Sequence, residues 1–166
     1  MQINQEKRYL TPYVLGLSEF AANIGELGRF MAKVLKLPQN VQNIMRSFPT
    51  AEFMVDKVGQ TFSLGPEQIM ELTKILKDIL LAEIFWGDFP FLVSSKLGVD
   101  PNTANQIVKK IADELLAPAI EDIKSMQREK FRDRIAQNRS NQSQQSPQNT
   151  NTEQGNVINL RNKNNQ

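Results

Sequence analysis

Two residue types that supply much of enzyme chemistry are missing from this chain. Its 166 residues include no cysteine and no histidine. The absence of cysteine excludes disulfides, thiolate nucleophiles and cysteine-ligated zinc, and the absence of histidine removes the commonest general base and metal ligand. Glu83 and Asp88 could form a carboxylate pair, but no nucleophile motif, glycine-rich phosphate loop or acidic metal cluster accompanies them. We therefore expect a protein that is not an enzyme and that holds no cofactor or metal.

The chain also has little excess of charge of either sign. It carries 20 basic and 18 acidic side chains, and residues 137–166 hold three of the basic and one of the acidic ones. Residues 1–136 are therefore neutral and lack the positive field that binding to nucleic-acid phosphate usually requires. This balance argues against nucleic acid as a partner.

No secretory signal or membrane span is visible in the sequence. The first residues, Met1 to Lys7, are polar, and charged side chains interrupt the apolar segment at 13–37. Such charges are costly in hydrocarbon. We expect a soluble, cytoplasmic protein.

The composition changes near Gln137. From there to Gln166, 16 of 30 residues are asparagine or glutamine, so the segment cannot bury enough apolar surface to offset its ordering entropy. We expect a helical domain at 1–136 and a disordered tail at 137–166. Three apolar residues in that tail could add as a strand to a partner's sheet and are predicted partner contacts: Val157, Ile158 and Leu160.

Residues before Gln137 show apolar spacings of three and four, which predict an all-α bundle of six or seven helices. Thr11 and Pro12 form a helix start, and the first helix is predicted to continue to about Lys36. One face of this helix is apolar. A second stripe consists of small residues and predicts the close approach of another helix: Ser18, Ala21, Gly25, Gly28 and Ala32.

An internal repeat is also indicated, because residues 58–82 align without gaps on residues 93–117. Each copy would contain a short helix, a tight turn and a long helix that begins at a proline, Pro66 or Pro101. This pairing resembles helical modules of small uncharacterised all-α bacterial proteins, over roughly residues 50 to 125. The resemblance implies an all-α fold and brings no function with it.

The second copy resembles a helix-turn-helix motif, with Ser94 on the first helix, Gly98 in the turn and Thr103 near the start of the second. In that interpretation, polar residues of the second helix would meet base edges and two lysines would meet phosphate. The residues concerned are Asn102, Asn105, Gln106, Lys109 and Lys110.

A structural hairpin needs the same turn glycine and the same helix start at Asp100 and Pro101. The helix also carries Asp113 and Glu114, which balance the charge of its two lysines. The structural interpretation is therefore favoured over DNA binding.

Four of the chain's 12 aromatic residues lie between Glu83 and Phe91. An exposed segment of this kind would bind a partner, whereas a buried one would cover the core. Core packing is the favoured interpretation, with Trp86 partly exposed. Trp86 and Phe89 are the predicted partner contacts.

The last predicted helix, residues 119–136, has a thin apolar stripe among mixed charges and could pair with a second chain, as could the first helix. Together these features predict a non-enzymatic protein-protein interaction or scaffold protein. The alternative is a helix-turn-helix DNA-binding protein that uses residues 93–111.

Overall fold

The computed structural model describes residues 10–143, with side chains to residue 137, and this part of the chain is all-α, as predicted. It contains nine α-helices and no strand. Six or seven helices were expected, and the difference comes from breaks inside predicted helices. The helices are α1 (Pro12–Phe20), α2 (Ile24–Leu35), α3 (Gln39–Arg46), α4 (Phe48–Glu52), α5 (Pro66–Leu80), α6 (Phe89–Leu97), α7 (Pro101–Lys110), α8 (Ile120–Lys130) and α9 (Arg132–Ser143).

The first helix begins where the sequence predicts, but the prediction that it continues to Lys36 is wrong. The Thr11 hydroxyl accepts a hydrogen bond from the Val14 N–H at 3.2 Å and caps α1. The helix ends at Phe20, and a new one begins after Asn23. The Asn23 side-chain oxygen accepts hydrogen bonds from the N–H groups of Gly25 and Glu26 at 3.1 and 3.2 Å. A local side-chain cap therefore divides the predicted helix in two.

The centre of the fold is α5, as its many apolar positions predict. Leu72, Leu76 and Leu80 are fully buried, and α5 packs against both α1 and α6. Burying a side chain of this size contributes roughly 1.5–3 kcal/mol to folding. This helix therefore fixes the positions of the N-terminal helices and of the α6–α7 hairpin.

Two helices change their winding before they end. The chain continues from α4 into a π-helical stretch at Phe53–Gly59, and from α7 into another at Ile111–Leu115. The sequence pattern predicted ordinary α-helices at both places. Side-chain spacings of three and four do not distinguish a widened turn from an α-helical one.

The turns that precede α5 and α7 share their local geometry. Ser63 and Gly98 both adopt the left-handed conformation, with φ of 53° and 68°. Two residues later, Gly65 and Asp100 are extended and are followed by the first-turn prolines. These are equivalent positions in the predicted repeat. The repeat relation over the rest of the two copies stays a prediction.

The C-terminal helices begin after a 3₁₀ turn at Ala117–Ala119, where Pro118 breaks the helix as predicted. By its internal contacts the chain divides after Arg132, and α9 runs to Ser143. The predicted disordered tail at 137–166 lies mostly outside the described residues and stays a prediction. No helix in the described range is long and apolar enough to cross a bilayer.

Candidate interaction surface on the second helix

One aromatic side chain attaches α2 to the rest of the fold. Phe30 is almost fully buried, and its ring lies 5.8 Å from the ring of Tyr13 and 5.6 Å from that of Phe20. The same ring covers Gly16 of α1, where a β-carbon would overlap it. Gly16 therefore permits the close approach of α1 and α2.

A buried lysine joins α5 to α1. Lys77 of α5 is only 3% exposed and pairs with Glu19 of α1 and with Asp78, and its ammonium lies 5.5 Å from the centre of the Phe20 ring. Burial acts to lower the pKa of Lys77, but the hydrogen bond and charge of Glu19 and the charge of Asp78 outweigh it, so this pKa is raised. Burial raises the pKa of Asp78, with Lys77 opposing the change. No feature of the sequence indicated that this lysine is buried.

The outer face of α2 carries three large apolar side chains that are exposed in the described part of the chain. The exposed fraction is 86% for Ile24, 41% for Met31 and 64% for Leu35. Their spacings of seven and four residues align them along one side of the helix. Isolated exposed apolar residues are ordinary, but an aligned set on one helix is typical of a binding surface. We call these three residues the apolar ridge.

Small residues lie beside the apolar ridge and are open to solvent. Gly25, Gly28 and Ala32 are exposed, and no atom lies within 4 Å of the position of a β-carbon at Gly28. At 3.6 residues per turn this line of small residues lies directly opposite Phe30 and Val34. The prediction that another helix of this chain packs on Gly25 and Gly28 is therefore wrong for the described residues.

Two cations border the small residues on the side away from the apolar ridge. Arg29 and Lys36 are exposed, seven residues apart, and no carboxylate of the described part of the chain pairs with either. A third cation of α2, Lys33, is engaged elsewhere, with Glu83 at 2.5 Å. The face therefore combines an apolar edge, a floor of small residues and a positive edge.

The aromatic segment predicted to contact a partner is mostly folded into the protein. Phe89 is completely buried, so its prediction as a partner contact is wrong, because its ring fills the core. Trp86 is partly buried against Phe89, and its backbone N–H donates to the side-chain oxygen of the buried Gln127 at 2.9 Å. The exposed ring of this segment is Phe91, at 73%. The sequence did not single it out.

The residues of the DNA-binding alternative lie on α7, where Asn102, Asn105 and Gln106 are exposed. The two lysines already have partners. Lys109 bonds to Asp113, whose hydrogen bond raises the pKa of Lys109, and Lys110 lies 2.7 Å from Glu114. A phosphate would have to compete with these carboxylates for the two ammonium groups.

A shallow groove lies where the two π-helical stretches approach each other. Phe53 comes from the first stretch and Leu115 from the second, and α3 and α4 complete its walls. Its polar side chains already have partners: Ser47 and Thr50 bond to each other at 2.9 Å, and Asn43 accepts a hydrogen bond from Gln39 at 2.8 Å. No buried polar side-chain atom of the described residues lacks a partner, and nothing in this groove indicates a ligand.

The predicted tail contacts Val157, Ile158 and Leu160 lie outside the described residues. Comparisons with protein-family models, with curated proteins and with solved structures found no match to this chain. The assignment of a function therefore depends on the surfaces described above. Among them, the outer face of α2 combines aligned exposed apolar side chains with cations that have no carboxylate partner in the described residues.

Proposed function

We propose that this chain is a non-enzymatic protein-protein interaction protein and that it binds its partner through the outer face of α2. The observation that carries the proposal is the exposure of Ile24, Met31 and Leu35 in one line on a helix that two other side chains, Phe30 and Val34, anchor in the core. Leaving such side chains in water forgoes stabilisation that a bound partner would supply.

A glycine of α2 supports the same proposal. Gly28 lies in the interior of α2 and costs roughly 1 kcal/mol relative to alanine there. Within the described fold nothing offsets this cost, because Gly28 faces solvent and no backbone approaches it. A partner helix that packs closely on this floor would offset it.

The other predicted contacts have smaller parts in this proposal. Trp86 offers one partly exposed edge, and Phe91 adds an exposed ring on α6. The tail residues Val157, Ile158 and Leu160 stay a predicted second contact. Pairing of two copies through the first or last predicted helix also stays a prediction.

A comparison of two surface variants tests the proposal. In Gly28→Leu, a bulky side chain fills the floor of the α2 face, while the core is untouched. Gln106→Leu places the same side chain on the exposed face of α7 and serves as the matched control. Affinity purification with the full-length chain, followed by reconstitution with the purified partner, should give binding to wild type and Gln106→Leu and loss with Gly28→Leu. A partner bound equally by all three proteins would contradict the assignment to α2.

The alternative function is DNA binding by the α6–α7 hairpin, which has the left-handed Gly98 turn and an exposed polar helix. It predicts duplex binding that falls steeply with salt and is lost in the double variant Lys109→Glu, Lys110→Glu. We expect duplex binding no tighter than the roughly 1–100 μM of non-specific contacts at physiological salt. Sub-micromolar, sequence-dependent binding that the double variant loses would favour this alternative.

A further inference from the structure

We infer that the partner segment which covers the α2 face is an acidic amphipathic helix, with aliphatic residues on one side and carboxylates beside them. This inference rests on the proposed function and specifies the partner for the same surface. It follows from the order of features across the face: apolar ridge, small residues, then Arg29 and Lys36.

The small residues favour a helix as the bound element. Gly25, Gly28 and Ala32 recur at spacings of three and four, which forms a straight channel along α2. Small residues at such positions let two helix backbones approach closely, and the ridge side chains then fill the groove of the partner. The 12 residues of α2 offer about 18 Å of length, which matches three turns of a docked helix.

The charges determine which flank of that helix is acidic. Arg29 and Lys36 lie two turns apart along the channel, on the side away from the apolar ridge. Neither has a carboxylate partner among residues 10–137. A helix in the channel would place two of its own side chains, also about two turns apart, over these cations. Glutamate or aspartate there would complete both ion pairs.

Segments of this chain do not provide that chemistry. Residues 1–9 hold Glu6 beside Lys7 and Arg8, and residues 144–166 hold one glutamate against two cations, so each segment is net positive. A second copy of α2, together with Lys36 that follows it, brings three cations and a single carboxylate, Glu26, and would oppose like charges along the positive edge. Charge complementarity therefore favours another protein.

An anionic membrane shares the negative charge but suits the shape less well. Helices that lie on bilayers bury large apolar side chains in the acyl region. Here the centre of the open face is glycine and alanine, which bury little area in lipid but permit close contact with another helix.

Two synthetic helical peptides test this inference on the full-length chain. Both have about 18 residues and the same leucine and alanine face, with glutamate on the flanking positions of one and lysine on those of the other. Binding of each fluorescein-labelled peptide is measured by anisotropy in low salt. We expect the glutamate peptide to bind at least about tenfold more tightly, since exposed ion pairs and like-charge contacts each change affinity severalfold.

Charge reversal on the protein provides the matched controls. In Arg29→Glu, Lys36→Glu the preference should switch to the lysine peptide. Arg128→Glu, Lys130→Glu on α8 makes the same change in net charge and should keep the preference for glutamate. Gly28→Leu should weaken the binding of both peptides, alone or combined with either charge reversal, because the leucine side chain fills the channel.

The outcomes separate this inference from the proposed function. Equal binding of both peptides, lost in Gly28→Leu, would overturn the acidic partner and leave the α2 surface as a protein-binding site. No binding of either peptide to wild type would overturn the inference, while the purification experiment with Gly28→Leu would still test the function. Two further results would also overturn it: binding to phosphatidylserine vesicles that the Arg29→Glu, Lys36→Glu variant loses, or a dimer in sedimentation that Gly28→Leu dissociates.

Discussion

The two glycines at positions 16 and 28 should respond in opposite directions to the same substitution. Gly16 lies under the ring of Phe30, so the β-carbon of Gly16→Ala would overlap three ring carbons. The ring is held by Tyr13 and Phe20 and cannot move away without losing these contacts. Gly28 faces open solvent. Gly16→Ala therefore adds overlap in the core, and Gly28→Ala adds only a better helix former.

The magnitudes follow from two effects. Replacing glycine by alanine inside a helix stabilises it by roughly 1 kcal/mol, and this gain applies to both variants. Overpacking a filled core costs about 1–3 kcal/mol and applies only to Gly16→Ala. We expect Gly28→Ala to raise the free energy of unfolding by up to about 1 kcal/mol. The variant Gly16→Ala should be less stable than Gly28→Ala by about 1–3 kcal/mol.

Urea unfolding monitored by circular dichroism measures both free energies of unfolding, and unchanged slopes would show that the two-state comparison is valid. If Gly16→Ala is as stable as Gly28→Ala, Phe30 does not lie on α1 as described. If Gly28→Ala is destabilised, something covers the outer face of α2 in the free protein.

Four further substitutions test other parts of the fold. Glu19→Gln should destabilise the protein at neutral pH by about 1 kcal/mol, because Lys77 loses one of its two partners. Folding raises the pKa of Lys77, so the charged lysine contributes to stability below its ordinary pKa of 10.5, and this contribution is lost as the pH rises through the folded pKa. The difference in stability between Glu19→Gln and wild type should therefore shrink when urea unfolding is measured at alkaline pH. Ser63→Gly should stabilise the protein and Gly98→Ser should destabilise it, each by about 0.5–1 kcal/mol, because both residues have the left-handed conformation that favours glycine. Thermal unfolding measures both changes, and changes of the same sign would refute this prediction. Gln127→Leu should lower the free energy of unfolding by about 1–3 kcal/mol and shift the tryptophan fluorescence, because the Trp86 N–H and the Ile84 carbonyl lose their hydrogen bonds to this side chain. Unchanged stability and an unchanged spectrum would show that Gln127 does not hold the aromatic segment.

Helix starts that depend on local chemistry could be predicted from the sequence. Thr11 with Pro12, and Asp100 with Pro101, specify a cap and a first helical turn within a few residues, and both helices begin there. The centrality of α5 was also predictable, because its apolar positions extend around more than one side. In each case the information lies within one segment of the chain.

The break between α1 and α2 also had a local signal that the periodicity concealed. Asn23 followed by Glu26 at the third helical position is a helix-start pattern, but continuous spacings of three and four across it indicated one helix. A missed break changes which side of α2 faces the core. For that reason the continuous pattern predicts a helix contact at Gly25, Gly28 and Ala32, although these residues are exposed.

The remaining features depend on contacts between distant segments. The burial of Lys77 requires Glu19, 58 residues away in sequence, and the position of Phe30 requires Gly16 on another helix. The burial of Phe89 and the exposure of Phe91, two residues apart, follow from how α6 lies on α5. No spacing rule within one segment contains this information.

The openness of the α2 face can be measured directly, because the chain has no cysteine and a single introduced thiol becomes a unique reporter. Leu35→Cys lies on the apolar ridge, and Val34→Cys, one residue away, is fully buried and serves as its control. In the free full-length protein, Leu35→Cys should react with a thiol reagent nearly as fast as in the urea-unfolded chain. Val34→Cys should react at least about 100-fold more slowly, because it is reached only when the structure opens. Equal protection of the two thiols would show that the α2 face is already covered and would contradict its assignment as a binding surface.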